Sequence, residues 1–232
     1  MNADDVAAYL QNNPGFFDDH AELLTSISVP HPHGGKAIPL ADRQVIALRD
    51  ENKNFRAKLA ELIQFGEENV AISDKMHRLA LALLPARDLA GVLSAFHYNL
   101  GEDFAVPHTA IRLWRAAGEG ADRPEFSPVS EDLQSYAQGL AEPYCGPSGG
   151  SSVNVEAAAW FGEAASHIRS VAHVAIFEPG PAGAAVPDAP ARCFGLLAMG
   201  SEDVLRFYPD MGTLYLKRLG DFLGAALTRF LD

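Results

Sequence analysis

Two thiols, Cys145 and Cys193, are the chain's only cysteines. Thiol chemistry needs a thiolate that solvent and substrate can reach. Cys145 lies in Pro143-Tyr144-Cys145-Gly146-Pro147, which reads as a loop after a helix, so this thiol could be exposed and reactive. Cys193 opens an apolar run and reads as a buried strand residue. His31 and His33 alternate with Pro30 and Pro32. No neighbouring cysteine or carboxylate pair completes a metal site there, and an extended connector with exposed histidines is the plainer reading. No GxxxxGK[ST] loop, no GxGxxG after a strand and no HExxH helix is present. Gly146-x-x-Gly149-Gly150 reads as a flexible connection. Arg112 and Trp114 share one face of a strand, opposite Ile111 and Leu113, because side chains alternate along a strand. Trp160-Phe161 adds aromatic surface on a connecting segment.

Composition limits what those residues can serve. The chain has 232 residues, a formal charge of −12 and a pI of about 5.0. Binding to nucleic acid rests on Lys and Arg neutralising phosphates, so a nucleic acid is excluded as the main partner. The first 35 residues contain Asp4, Asp5, Asp18, Asp19 and Glu22 and no Lys or Arg. That end repels DNA and anionic lipid alike, which argues against reading its short helices as a helix-turn-helix. The opening residues lack the basic and apolar regions of a signal peptide, and no run approaches the length of a membrane span. With two distant cysteines and no disulfide framework, a reducing cytoplasm is the expected location.

The elements that position these residues fall into three stretches: 1–39, 40–85 and 86–232. The first predicts two short helices and a connector, with Asn2 or Asp4 capping one helix and Asn13-Pro14 restarting the chain. Phe16, Phe17, Leu23, Leu24 and Ile27 supply more apolar surface than such helices can bury alone. From Leu40 one long helix is predicted, ended near Leu84 by Pro85. Ala41, Val45, Leu48, Asn52, Phe55, Leu59 and Leu62 step by 4 and 3, the heptad seam of a coiled coil over about 41–65. Asn52 at an a position favours a two-stranded pair in fixed register, and Glu51 and Arg56 have the g–e′ spacing of a parallel dimer. The alternative is a helix packed on its own domain. Past Gly66 the strict seam lapses, and Val70, Ile72, Met76, Leu79, Leu83 and Leu84 lean on the following domain.

Residues 86–232 read as one α+β domain. An Asp88-capped helix stops at Gly101, and a strand runs over 109–115. A helix opened by Ser130 carries Leu133, Tyr136 and Leu140, and a loop-rich stretch over 143–152 follows it. A short helix over 155–165, strands over 170–177 and 192–200 around a Gly/Pro/Ala loop at 179–190, and a terminal helix over 210–231 complete the order.

That order, together with Phe194-Gly-Leu-Leu-Ala-Met-Gly-Ser201 and a charged turn into the last helix, resembles a GAF domain, an antiparallel sheet flanked by helices. The whole chain resembles a narrower bacterial GAF-like family, domain of unknown function 484. The likeness is carried by Tyr9-Leu10, Asn13-Pro14, Phe16-Phe17, His20, Leu23-Leu24, Val29-Pro30-His31, Asp42-Arg43-Gln44 and Leu48-Arg49. Downstream it rests on Phe194-Gly195, Gly200-Ser201, Arg206-Phe207, Met211-Gly212-Thr213 and Leu216. The resemblance implies an architecture and brings no activity, ligand or catalytic residue with it.

GAF domains commonly bind small molecules or dimerise in signalling proteins. On that footing Arg112, Trp114, Tyr144, Cys145, Trp160 and Phe161 are the expected lining of a small-molecule cavity, with an ordinary aromatic core as the alternative. The Asn-Lys-Phe-Asp-Glu signature of cyclic-nucleotide binders is absent. GAF-fold methionine sulfoxide reductases use several cysteines, which keeps a cysteine-dependent reductase as a third reading. Some GAF domains hold haem, and His97, His108, His167 and His173 lie in the relevant stretch. The expectation is a cytoplasmic, non-catalytic regulatory or sensor protein, a homodimer through Val45, Leu48, Asn52, Phe55, Leu59 and Leu62, with an unidentified small-molecule ligand and no assigned cofactor, metal or catalytic residue. Its runner-up is an interaction scaffold with a vestigial pocket, recruiting a protein partner through the N-terminal helices.

Overall fold

Asn2 opens the first helix, α1 (Ala3–Asn12), with a capping box: its side chain accepts from the Asp5 N–H at 2.8 Å, and Asp5 accepts from the Asn2 N–H at 2.8 Å. The chain then makes two further short helices, α2 (Phe16–Asp19) and α3 (Ala21–Ser26), where the sequence predicts one. The Asn13-Pro14-Gly15 turn delays the restart to Phe16, whose N–H donates to Asn13 O at 3.0 Å, and the chain breaks again at His20. A two-residue pair, β1 (Ser28–Val29) and β2 (Ile38–Pro39), leads into the long helix α4 (Leu40–Leu83).

The structure, a computed structural model, describes residues 2–29, 38–115, 122–180 and 192–231. His31 and His33, and residues 181–190 of the Gly/Pro/Ala loop, lie outside the described residues. The chain forms two compact units, Met1–Asn69 and Val70–Asp232, so the boundary falls inside α4 and its last part belongs with the second unit.

In the first unit the seam residues of α4 are exposed: Leu48 63%, Phe55 61%, Leu59 59% and Leu62 66%. In the second unit Met76, Leu79 and Leu83 of the same helix are buried. Val70 and Leu84, expected with that buried set, are instead exposed; Val70 starts the unit, and Leu84 lies past the helix end.

The second unit is a four-stranded antiparallel sheet of order β3-β6-β5-β4. In chain order its elements are α5 (Leu89–Glu102), β3 (His108–Leu113), α6 (Glu131–Gly139), β4 (Tyr144–Pro147), α7 (Ser152–Ala159), β5 (Ser170–Phe177), β6 (Cys193–Ser201) and α8 (Leu214–Leu227). The capping side chains sit where the sequence places them. Asp88 accepts from the Gly91 N–H at 2.7 Å, and Ser130 Oγ accepts from the Leu133 N–H at 3.1 Å. This is the α+β, antiparallel-sheet-and-helices class that the sequence predicts, preceded by short helices and a long one.

Every residue of β6 is buried, as expected for a central strand covered on both faces. One face, with Ile111, Val174, Leu197 and Met199, joins Phe96 of α5, Leu79 of α4 and Leu223 of α8 in the main core. The other, with Leu196 and Ala175, packs against Leu133 and Ala137 of α6 and against Trp114 and Trp160. Gly220 and Gly224, one turn apart, let α8 sit directly on β5. A Cβ at Gly220 would lie 3.0 Å from Ala175 O, and one at Gly224 2.5 Å from Phe177 O.

Four local expectations change. Cys145 is in strand β4, buried, and not in an exposed loop; pairing of 144–147 with 170–173 overrides the loop propensity of its glycine and proline. The helix expected over 155–165 is α7 followed by a 3-10 turn at Gly162–Ser166, with Trp160-Phe161 at the join. Helix α5 runs through Gly101, and the left-handed residue that follows it is Ala105, at φ 51. Helix α8 starts at Leu214, four residues after the expected Asp210, because 208–213 is turn.

Candidate functional site

The sheet face under α6 and α7 carries the buried polar cluster of the domain. Antiparallel register aligns Ala110, Ala198, His173 and Tyr144 across it. His173 is fully buried in β5, its ring 5.5 Å from that of Tyr144 and 5.9 Å from that of Tyr136. Its Nδ1 lies 3.4 Å from the Tyr136 hydroxyl, and its Nε2 has no hydrogen-bond partner among the described residues. Burial pushes the His173 pKa down to about 4, so the imidazole is neutral at pH 7. Burial, with the Tyr144 and Cys145 charges behind it, pushes the Tyr136 phenol up to about 12. Asn154 of α7 shares the two N–H groups of its Nδ2 among the Tyr144 hydroxyl, Pro147 O and Gly149 O, each at 3.2 Å, and ties the edge strand β4 to the helix above it.

The residues expected to line one cavity divide between both faces. Arg112 stacks on Trp160, its guanidinium carbon 5.0 Å from the ring, and burial lowers its pKa. Trp114 donates from Nε1 to Cys193 O at 3.0 Å and packs in the smaller core. Phe161 sits over Gly200 and near His108. Tyr144 faces His173, whereas Cys145, one residue on, points through the sheet into the main core. Arg112, Trp114 and Trp160 therefore meet, Tyr144 lies along the same face, and Cys145 is separated from them by the sheet. Burial raises both thiols to about 11, which leaves them protonated at neutral pH and poor nucleophiles.

A different opening has the character of a ligand site. On the main-core side, a pocket of about 460 Å³ lies between the last turns of α4, the α5–β3 turn, the end of β6 and the start of α8. Its floor is apolar, from Met199, Leu216 and Leu219, and its walls include Phe104, Phe207, Met211 and Tyr215. Size and lining match small-molecule sites, which are mostly apolar with a few placed polar groups. Two cations supply those groups. Lys75 Nζ stands 6.0 Å from the centre of the Phe104 ring. Arg206 Nη2 donates to Phe104 O, and its guanidinium carbon is 6.0 Å from the Phe207 ring. Ala105, with its positive φ, forms part of the wall. A non-glycine residue there is sterically costly, and such conformations concentrate at functional sites. The Tyr215 hydroxyl is 2.9 Å from Ser73 Oγ, which fixes that wall to α4.

None of the residues expected as cavity lining borders this pocket. The pocket residues are far apart in sequence and mostly apolar, so each alone reads as core. One signal was present: Arg206-Phe207, Met211-Gly212 and Leu216, on which the family resemblance partly rests, all border it. The four histidines considered for haem do not. His97 Nδ1 is 2.7 Å from Thr109 Oγ1, His108 packs near Phe161, His167 is exposed and His173 is on the opposite sheet face. Among the described residues no group of three or more His, Cys, Asp or Glu converges as a metal site, and no helix is long and apolar enough to cross a membrane.

No curated protein matches the chain. Residues 1–232 match, over the whole length, the family described as "Protein of unknown function, DUF484". With the short helices, the long helix and the helix-flanked antiparallel sheet all in place, the chain belongs to the DUF484 family.

Proposed function

We propose that the protein is a non-catalytic, cytoplasmic regulatory protein that binds a small molecule in the pocket bordered by Phe104, Arg206 and Tyr215 and works as a homodimer. The pocket carries this reading: about 460 Å³, apolar floor, aromatic walls and two cations at its edge. Its lining offers shape and charge and includes no cysteine, histidine or carboxylate to act as nucleophile or base. This favours binding over turnover. Support for the dimer comes from the exposed stripe of Val45, Leu48, Phe55, Leu59 and Leu62 on α4, apolar side chains at coiled-coil spacing.

The test joins the two parts. Full-length protein is expected to run as a dimer by light scattering, and Leu48→Lys with Leu59→Lys to run as a monomer with an unchanged far-ultraviolet spectrum. In a thermal-shift screen of metabolites, at least one compound raises Tm in the native protein and loses that effect in Met211→Trp, which fills the pocket. A native monomer sinks the dimer, and a screen in which no compound distinguishes native from Met211→Trp sinks the sensor.

A specific observation also favours the scaffold reading. Val6, Tyr9 and Ile27 on the acidic N-terminal helices are exposed, which suits recruitment of a protein partner.

A further inference from the structure

Two positive side chains converge on one phenylalanine in the pocket. Lys75 lies over the Phe104 ring, and Arg206 donates to the Phe104 carbonyl. Neither cation is in an ion pair among the described residues. In sequence Asp74 adjoins Lys75 and Asp203 lies three residues before Arg206, and neither is ion-paired with them; Asp103, next to Phe104, attracts Lys75 through space. It is held by Arg78, Nη2 to Oδ1 at 2.8 Å, and that hydrogen bond keeps its carboxyl below the usual range and ionised. Arg206 uses one of its five N–H donors on Phe104 O, and Lys75 has three. Two cations thus stand beside the apolar floor of a pocket whose lining holds no carboxylate.

Below the cations the walls are aromatic and thioether. Methionines such as Met199 and Met211 adapt to irregular apolar shapes, and rings such as Phe207 provide flat contact. An apolar ligand alone leaves both cations without an anionic partner, and a small inorganic anion leaves the floor uncovered. A molecule with one negative group and an apolar body satisfies both.

We infer that this pocket takes an amphipathic organic monocarboxylate, its carboxylate held by Arg206 and Lys75 and its apolar body lying on Met199, Leu216 and Leu219. The inference rests on the pocket being the ligand site and adds the ligand's chemical class. Arg206 sets the direction of the carboxylate through its planar fork, and Lys75 adds a mobile point charge.

The experiment is calorimetric titration of the full-length dimer with decanoate, decan-1-ol and decyltrimethylammonium, each kept below its aggregation concentration. Decanoate is expected to bind at least ten-fold more tightly than the alcohol, and the ammonium compound to show no binding. Lys75→Gln with Arg206→Gln should bring decanoate down to the affinity of the alcohol while leaving the alcohol unchanged; Met211→Trp should weaken both. Equal binding of acid and alcohol by the native protein overturns the anion class and leaves the pocket standing. Decanoate binding that survives Met211→Trp places the acid elsewhere and overturns the inference. Failure of all three compounds to bind also overturns it, while the metabolite screen decides separately on the pocket as a sensor site.

Discussion

The two halves of α4 follow one heptad count to different ends. Val45, Leu48, Asn52, Phe55, Leu59 and Leu62 occupy its a and d positions, and the same count, carried past Gly66 and Asn69 where the apolar seam lapses, reaches Ser73, Met76, Ala80 and Leu83. Upstream, the apolar members stand 45–66% exposed. Downstream, Met76 and Leu83 are each 4% exposed, and Ser73 is bonded to Tyr215 of α8. A seam pattern therefore announces that a helix has a partner without saying which. Where the domain core covers it, the partner is the same chain; where none of the described residues covers it, a second copy is the partner proposed above. The polar content differs as well. The upstream half is flanked by Arg49, Asp50, Glu51, Lys53 and Arg56, whereas the downstream half inserts Leu79, fully buried, into the domain core.

The sharpest way to break this comparison is to truncate one residue on each side. Leu79→Ala removes a fully buried side chain and is expected to cost about 3 kcal/mol of stability, read from urea unfolding. Leu59→Ala should leave the unfolding of the 70–232 unit in place and raise the dimer dissociation constant, read by analytical ultracentrifugation. Equal losses of domain stability from both would mean that the halves do one job.

A second separation is by pH. The seam positions carry no titratable side chain, so acid should act on the domain first. The folded pKa of His173 is about 4, below the 6.5 of an unhindered histidine. Between those values the unfolded chain binds a proton that the folded chain refuses, so this part of the stability is present at pH 7, falls as pH drops through 6.5, and stops falling below about 4. The loss is roughly 3 kcal/mol. It should show as a fall in the urea midpoint that His173→Gln flattens; an unchanged slope in that variant would assign the acid sensitivity elsewhere. The smallest effect is at Asn52→Leu, which removes a buried polar group from the proposed dimer seam. It should tighten the dimer, or change its order, by about 1 kcal/mol; sedimentation that matches the native protein would argue against Asn52 lying at the interface.

Much of the architecture was legible because local signals and burial agree. The Asp88 and Ser130 caps, the alternation of 109–113, the apolar runs of β5 and β6 and the stripe of α8 each point to the element that forms. Strand β4 was not legible, since Tyr144-Cys145-Gly146-Pro147 has loop residues and gains its extended form only by pairing with β5. Read as loop, Tyr144 and Cys145 could line one cavity together; as neighbours in a strand they face opposite sides of the sheet. The pocket was legible only through the resemblance residues Arg206-Phe207, Met211-Gly212 and Leu216, and for a different reason. It is assembled from α4, the α5–β3 turn, β6 and α8, and its apolar members look like any core residue until their distance in space is known. Lys75 is an ordinary surface cation in sequence, and its shared neighbour Phe104 is what joins it to Arg206.

Gly220 and Gly224 bear on that pocket from a distance. With their missing side chains set against Ala175 O and Phe177 O, α8 rests on the carbonyls of β5 with no room to turn. Rotating the helix by one residue would drive Leu219 or Leu223 into those oxygens. Tyr215, Leu216 and Leu219 thus form an anvil, fixed in register by two absent methyl groups. For the proposed ligand, any fitting of the pocket falls to the opposite jaw, the turn that bears Arg206, Phe207 and Met211.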